Sequence, residues 1–304
     1  MVVLSQPALD PFILIQTSQP TSVFKKVTAI GLSNPDAETL IVEACQEFAF
    51  FKLINHGVPL EYMTRLEAEA IKFFKLPESE KDKAGGFLGY VNRKISPNRD
   101  MGWVEYLLLT TSPKLIHHIS SSIFKENPEI FHQKVFAKLL RNEKSDCLFR
   151  LNHYRPMPCS GLQELSGQNV IGFGEHTDSQ IISVLRSNNI SSIEICLRDG
   201  TWVTVPPDPN SFFISVDDCL QVMTNGRLKS VRHRVSINNL NSRISMIYFG
   251  APPLGEKIAP LPSLMERGKE ILYKDFTWSD YKKSAYNSRL SDNRLGLFQN
   301  YESQ

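Results

Sequence analysis

The stretch GFGEHTDSQIISVL, residues 172–185, decides how this chain is read. It has the apolar content of a β-strand, yet it sets His176 and Asp178 two positions apart at its polar end. Successive side chains of a strand point to opposite faces, so residues two apart share one face and these two are expected to project together. The pairing is common by accident, and its plain reading is a strand end followed by a turn. Its meaning has to come from the rest of the chain.

On either side of that stretch, from about residue 148 to 250, apolar residues recur with a period of two, in short runs separated by turn signals. SIEICLRDGTWVTVPP reads as a hairpin, with Ile193, Ile195 and Leu197 alternating with polar positions and Asp199-Gly200 at the tight turn. SFFISV, VRHRV and RISMIYF read as further strands, and Asn225-Gly226 marks another turn. Many short, closely spaced strands predict an antiparallel jelly roll rather than a parallel sheet. Upstream the period is helical: Asn34 and Pro35 open one helix, EYMTRLEAEAIKFFKLP forms a second, and FFKLINHG (50–57) is a short strand between them. Residues 84–102 read as a glycine-containing loop, and FTWSDYKKSAYNSRL returns to a helical pattern.

The expected fold class is therefore α+β, a double-stranded β-helix (jelly roll) with an N-terminal helical region and flanking helices. The expected division is 1–110 for that N-terminal region, 111–147 for shortened connecting helices, 148–255 for the jelly-roll core and 256–304 for a C-terminal helical segment.

His233 lies in VRHRV, 55 positions after Asp178, where Val231, His233 and Val235 share a face opposite Arg232 and Arg234. Two imidazoles and one carboxylate on a rigid sheet form a 2-His-1-carboxylate triad, which leaves open positions on a non-haem Fe(II). The competing reading makes His233 a satisfied core histidine. Against it stand Arg243 and Ser245 in RISMIYF, two apart on one strand and suited to binding one carboxylate between them. A buried arginine without an anion is costly. A dicarboxylic 2-oxo acid fits, chelating the iron at one end and meeting Arg243 and Ser245 at the other. Asn152 and Tyr154 in LNHYRP are expected to face the same cavity.

Composition narrows the alternatives. The 304 residues carry 34 basic and 32 acidic side chains without a block of like charge, so neither nucleic acid nor a membrane surface is an expected partner. The first twenty residues do not read as a secretory signal, and no apolar run reaches the length of a membrane span. Five scattered cysteines with no CxxC pair argue against a disulfide or zinc scaffold. The expected location is cytoplasmic, in a reducing compartment that suits ferrous iron.

Taken together, HxD, the distal histidine, RxS and NxY resemble the plant 2-oxoglutarate and Fe(II)-dependent dioxygenases. ACQEFAFFKLINHGV, GWVEYLLL, LQVMTNGR, SVRHRV, SRISMIYF and APPLGEKIAPLP are most similar to gibberellin 2-oxidases acting on C19 gibberellins. The resemblance implies metal ligation and catalysis by His176, Asp178 and His233. It implies 2-oxoglutarate binding by Arg243, Ser245, Tyr154 and Asn152, with ascorbate as reductant. It further implies oxidative decarboxylation of 2-oxoglutarate to succinate, coupled to 2β-hydroxylation and inactivation of a gibberellin. A rigid diterpenoid acid calls for an apolar pocket with one cationic anchor. Trp103 and Tyr106, with Arg93 or Lys94, are the candidates, and the alternative for the two aromatics is simple core packing.

The sequence also departs from that family. Ser179 stands where a proline is usual, Asp217 where a glycine is usual, and Arg99 where a glycine is common. A glycine at such a strand turn often serves a positive φ or close packing, so Asp217 is expected to cost energy or find new partners. Much of a helical segment before EKSD is missing, and its loss is expected to expose apolar surface. Two alternatives stay open: a related dioxygenase with another substrate, and a catalytically impaired relic.

Overall fold

Two β-sheets face each other across a central cavity. The computed structural model describes residues 22–23, 27–84, 88–94, 101–111, 145–156, 171–237, 240–265 and 268–300. In chain order the strands are β1 (Ser22–Val23), β2 (Ala29–Gly31), β3 (Phe50–Ile54), β4 (Gly89–Lys94), β5 (Met101–Thr110), β6 (Leu148–Tyr154), β7 (Ile171–His176) and β8 (Ile182–Ser187). They continue with β9 (Ile193–Cys196), β10 (Trp202–Thr204), β11 (Phe212–Val216), β12 (Arg232–Ser236), β13 (Arg243–Gly250), β14 (Lys257–Ile258) and β15 (Phe276–Thr277). The larger sheet runs β2-β3-β11-β8-β13-β6-β5-β4, and the smaller β1-β10-β9-β12-β7. All neighbouring pairs in them are antiparallel except β1 with β10 and β2 with β3. Together with its helices this is an α+β arrangement with a jelly-roll core.

Alternation explains why the sheets stack. Along β13, Ile244 and Met246 turn outward to join Leu107, Leu109, Phe149 and Leu151 under Ala70, Phe73 and Phe74 of helix α2 (Leu60–Phe74). Their neighbours Arg243, Ser245, Ile247 and Phe249 turn inward and line the cavity. Burying one face of a strand in this way fixes its register, because a slip of one residue would exchange the two sets. Helix α1 (Ala37–Glu47) supplies Ala37, Ala44 and Cys45 to a second core with Ile193, Ile195, Phe213 and Ile214.

Several local expectations are refined. Helix α1 begins at Ala37, and the Asn34 side chain accepts a hydrogen bond from Asp36 N at 2.9 Å instead of capping the helix. Residues 84–102, read as loop, contain all of β4 and the start of β5. The N-terminal 110 residues thus supply four strands, β2 to β5, to the large sheet. The Asp199-Gly200 hairpin is present, with Trp202 opposite Cys196 and Gly200 at φ +85°, a conformation that favours glycine. The shortened connecting segment, apart from its ends, and Arg99 lie outside the described residues.

The remaining α-helices among the described residues are the single-turn α3 (Glu78–Lys81), which follows α2, the short α4 (Asp218–Met223) between β11 and β12, and α5 (Trp278–Asn287) near the C-terminus. Thr277 caps α5, its hydroxyl accepting from Asp280 N. Trp278 and Tyr281 of α5 are buried in a third core, so this helix is part of the packing rather than an external addition. Among the described residues no helix is long and apolar enough to cross a membrane.

Candidate active site

The first two candidate donors meet through register. His233 on β12 stands directly opposite His176 at the end of β7, and their ring centroids are 4.2 Å apart. Each imidazole is oriented by its own backbone: His176 Nδ1 donates to Gly174 O at 2.8 Å and His233 Nδ1 to Val231 O at 3.2 Å. A carbonyl can only accept, so the proton sits on Nδ1 and Nε2 is free to ligate. Both Nε2 atoms face Asp178, at 3.6 Å from Oδ1 for His176 and 3.7 Å from Oδ2 for His233. The three donors form the one cluster among the described residues whose ligand atoms, all within 4.8 Å of one another, suit a metal ion. Burial and then neighbouring His233 hold the His176 imidazole well below its ordinary pKa, so it stays neutral, the form that binds metal.

Asp178 is not placed by strand geometry. β7 ends at His176, and Asp178 lies in the following loop, where its carbonyl accepts from Asp218 N at 2.9 Å. The two-residue spacing therefore brings the carboxylate to the site through a tie to α4, and the shared-face argument holds only for β12. Ser179, one residue on, uses its carbonyl to accept the Cys219 thiol.

The remaining polar groups arrive as cross-strand pairs. Arg243 is opposite Tyr154, and Ser245 is opposite Asn152. Arg243 Nη1 donates to Ser245 Oγ at 3.2 Å, and Asn152 Nδ2 donates to the same oxygen at 3.3 Å. Tyr154 lies under the guanidinium, 5.3 Å from its ring centroid. Gly172 permits this packing, since a Cβ there would come within 3.0 Å of the Tyr154 ring and of Ile237. Arg243 is 1% exposed, and its Nε and Nη2 have no partner, nor has Asn152 Oδ1. A cavity of about 40 Å³ joins these groups to the three metal-type donors. Buried orphan donors of this kind fit a carboxylate, and two imidazoles with one carboxylate fit an Fe(II).

The substrate candidates separate by strand phase. Tyr106 is opposite Asn152 and on the cavity side of β5. Trp103 has the phase of Glu105, whose partner is His153 on the outer face, and its indole N–H donates to Arg155 O at 3.0 Å. Trp103 is thus corrected from pocket wall to outer-face anchor: three residues from Tyr106 in a strand means the opposite face. Arg93 and Lys94 end β4, and their side chains lie outside the described residues.

Asp217 meets a different fate from the one expected. Its φ is −112°, so no left-handed backbone is demanded and no strain arises there. The cost is electrostatic. The side chain is wholly buried, with Ser183 Oγ at 2.6 Å from Oδ2 and Ser215 Oγ at 3.2 Å from Oδ1. Ser183 Oγ also lies 3.2 Å from Asp178 Oδ2, so one hydroxyl proton serves two carboxylates. Burial, and then nearby Asp178, push the Asp217 carboxyl well above the usual range. Sequence reasoning also passed over Arg150, although it precedes Asn152 by two positions and so shares its face.

Comparison with known proteins converges on the same chemistry. Residues 145–252 match the 2OG-Fe(II) oxygenase superfamily, and residues 29–129 match a family described as non-haem dioxygenase in morphine synthesis N-terminal. A gibberellin 2-beta-dioxygenase of Phaseolus coccineus is 54% identical over 330 aligned positions, covering 98% of each chain. Gibberellin 2-beta-dioxygenase 1 of Pisum sativum is 51% identical, covering 99% of this chain and 98% of that one. Because 330 aligned positions exceed the 304 residues available, at least 26 positions of the Phaseolus alignment have no counterpart here. Among solved structures, the rice dioxygenase for auxin oxidation superimposes with a TM-score of 0.73 at 23% identity, covering 90% of this chain and 100% of that one. JOX2, solved with 2-oxoglutarate, iron and JA, gives 0.72 at 22%, covering 96% and 92%. At that identity the two structures speak to fold alone.

Proposed function

This chain belongs to the 2-oxoglutarate- and Fe(II)-dependent oxygenases, among the gibberellin 2-beta-dioxygenases, and on that premise we propose that it hydroxylates C19 gibberellins at C2 and so inactivates them. The observation that carries the proposal is a three-donor cluster at metal-binding separations, inside a chain 54% identical to such an enzyme over 98% of its length.

His176, Asp178 and His233 would hold the iron, and Arg243 with Ser245 would hold the distal carboxylate of 2-oxoglutarate. Iron and cosubstrate together supply the oxidising power, which no side chain possesses. The protein contributes position. Cross-strand pairing of His176 with His233, and of Arg243 with Tyr154, sets both binding ends on rigid strands. Asn152 fixes the Ser245 hydroxyl, so the group that meets the carboxylate is oriented beforehand. Phe173, Phe249 and Ile247 keep water from the cavity wall. Ascorbate is the expected reductant that returns the metal to the ferrous state. The cytosol is the expected location, in keeping with the free thiols of Cys45, Cys147, Cys196 and Cys219.

A second reading, a copy with weakened turnover, is favoured by the Asp217 carboxyl beside the metal-type ligands and by the positions missing from the alignment. One assay decides between them. Purified protein is given Fe(II), ascorbate, 2-oxoglutarate and a C19 gibberellin, and succinate and the 2β-hydroxylated product are followed. Stoichiometric appearance of both supports the proposal, metal binding with no product supports the second reading, and succinate coupled to another acceptor sinks the gibberellin assignment.

A further inference from the structure

The cavity holds a second guanidinium, half-buried, that the cosubstrate does not account for. Arg150 begins the inward-facing series Arg150, Asn152, Tyr154 on β6, opposite Leu108 of β5 and Ile247 of β13. Its guanidinium carbon lies 3.8 Å from the centroid of the Tyr106 ring and 5.0 Å from that of Phe173. The Phe173 ring is in turn 4.6 Å from the His176 imidazole, so the cation stands one aromatic ring away from the metal-type donors. Nε and Nη2 of Arg150 are buried without a partner, and among the described residues it forms no ion pair. Stacking on rings steadies the charge but leaves those N–H groups unmade.

Two orphan arginines in one cavity call for two anions. Arg243 is opposite Tyr154, four residues along β6 from Arg150, which separates the two backbone positions by about 13 Å. One 2-oxoglutarate anchored on Arg243 and reaching the metal site has no carboxylate left for a second cation. We propose that Arg150, steadied on the Tyr106 ring, is the anchor for the carboxylate of the organic substrate, with the carbon to be oxidised turned toward the metal site. The proposal rests on the gibberellin reading, and it names the side chain that reading requires: a planar fork that matches a carboxylate and tolerates an apolar, aromatic-walled pocket.

The test compares a C19 gibberellin with its methyl ester at the ring carboxylate, in the holoenzyme and in Arg150→Met and Arg150→Gln. Product formation, the KM for 2-oxoglutarate and substrate-independent succinate release are measured for each. The parent enzyme is expected to favour the acid over the ester by roughly 100-fold in kcat/KM, and both variants to lose that preference through the acid alone. KM for 2-oxoglutarate and substrate-independent succinate release are expected to stay within about twofold, which also reports that the variants are folded. A parent enzyme that handles acid and ester alike overturns the proposal without any variant. Variants in which acid and ester decline together, or in which KM for 2-oxoglutarate rises instead, overturn it too, the latter assigning Arg150 to the cosubstrate. A parent enzyme that hydroxylates no gibberellin removes the functional reading and this inference with it, an outcome distinct from the others.

Discussion

Strands β5, β6 and β13 have two faces, finished in opposite ways. The outer face is saturated. Its buried anion, Glu105, accepts from Lys81 Nζ and Tyr90 Oη at 2.6 Å each, from His153 Nδ1 at 2.7 Å and from Arg155 Nε at 2.9 Å. The inner face is left open: Nε and Nη2 of both Arg150 and Arg243, and Oδ1 of Asn152, have no partner. The same backbone carries both faces, and each buried polar group is costly unless it is paired. A saturated face is scaffold, and an open one is shaped for molecules that arrive later.

That contrast is testable from its strongest side. His233→Ala removes a donor on the inner face while leaving the outer network intact, so metal affinity is expected to fall by more than the ~10- to 100-fold typical of changes behind the ligands. Product formation should vanish with it, while the thermal midpoint of the metal-free protein hardly moves. Titration with Fe(II) under anaerobic conditions reads the first quantity, and an active His233→Ala enzyme would sink the ligand assignment. Arg243→Met is the next largest. It leaves the 2-oxoglutarate carboxylate facing apolar surface, and KM for that cosubstrate is expected to rise by roughly 100-fold, with gibberellin affinity little changed.

The outer face should respond in the opposite currency, stability without specificity. Glu105→Gln breaks a buried ion pair with Lys81 and is expected to cost about 3–5 kcal/mol in urea unfolding, with both KM values unaltered in the folded enzyme. Burial pushes the Glu105 carboxyl up, but its hydrogen bonds from His153, Arg155, Lys81 and Tyr90 outweigh that and hold it well below the usual carboxylate range. The folded state therefore binds its proton less readily than the unfolded one. This stabilisation is full above the unfolded value near ~4.3 and is lost as pH falls through the lower folded one. Glu105→Gln should flatten that acid limb, and an unchanged limb would show that the network is not what acid dismantles.

How far the sequence revealed these faces depends on which physical signal each residue carried. His233, Arg243, Ser245, Asn152 and Tyr154 were legible because a period of two survives directly as strand phase, and antiparallel register then pairs them. The smaller errors have the same origin. Trp103 and Tyr106 looked like one aromatic patch, yet an odd spacing on a strand divides them between the two faces. Asp178 was assigned to the right cluster by an argument that its loop position does not satisfy, since a tie between Asp178 O and Asp218 N across 40 residues leaves no mark in local spacing. Glu105 was invisible for the same reason: its four donors come from α3, β4, β6 and the residue that follows β6. Arg150 was the one miss with a signal available, two positions before Asn152.

Asp217 is the exception that sharpens the comparison, because it is an acid near the open site that already has partners. Ser215 and Ser183 both meet it, and Ser183 is the hydroxyl that Asp178 would otherwise have to itself. Burial first, and then the nearby Asp178 charge, raise its pKa, so the folded state holds this proton more tightly than the unfolded chain does. Stability must then fall as pH rises from the unfolded value near ~4 through the raised folded value, a slope opposite in sign to that of Glu105. Asp217→Asn keeps the hydrogen-bonding shape without the titration. It is expected to remove that slope and to gain on the order of 1 kcal/mol at neutral pH, the smallest effect of this set. Asp217→Gly should do the same while also returning the Ser183 proton to Asp178, so only the glycine variant should tighten Fe(II) binding. If both variants bind metal as the parent does, Asp217 belongs with Glu105 as scaffold. If glycine alone improves binding, the acid is a load placed on the inner face, where the other buried polar groups are kept free for a ligand.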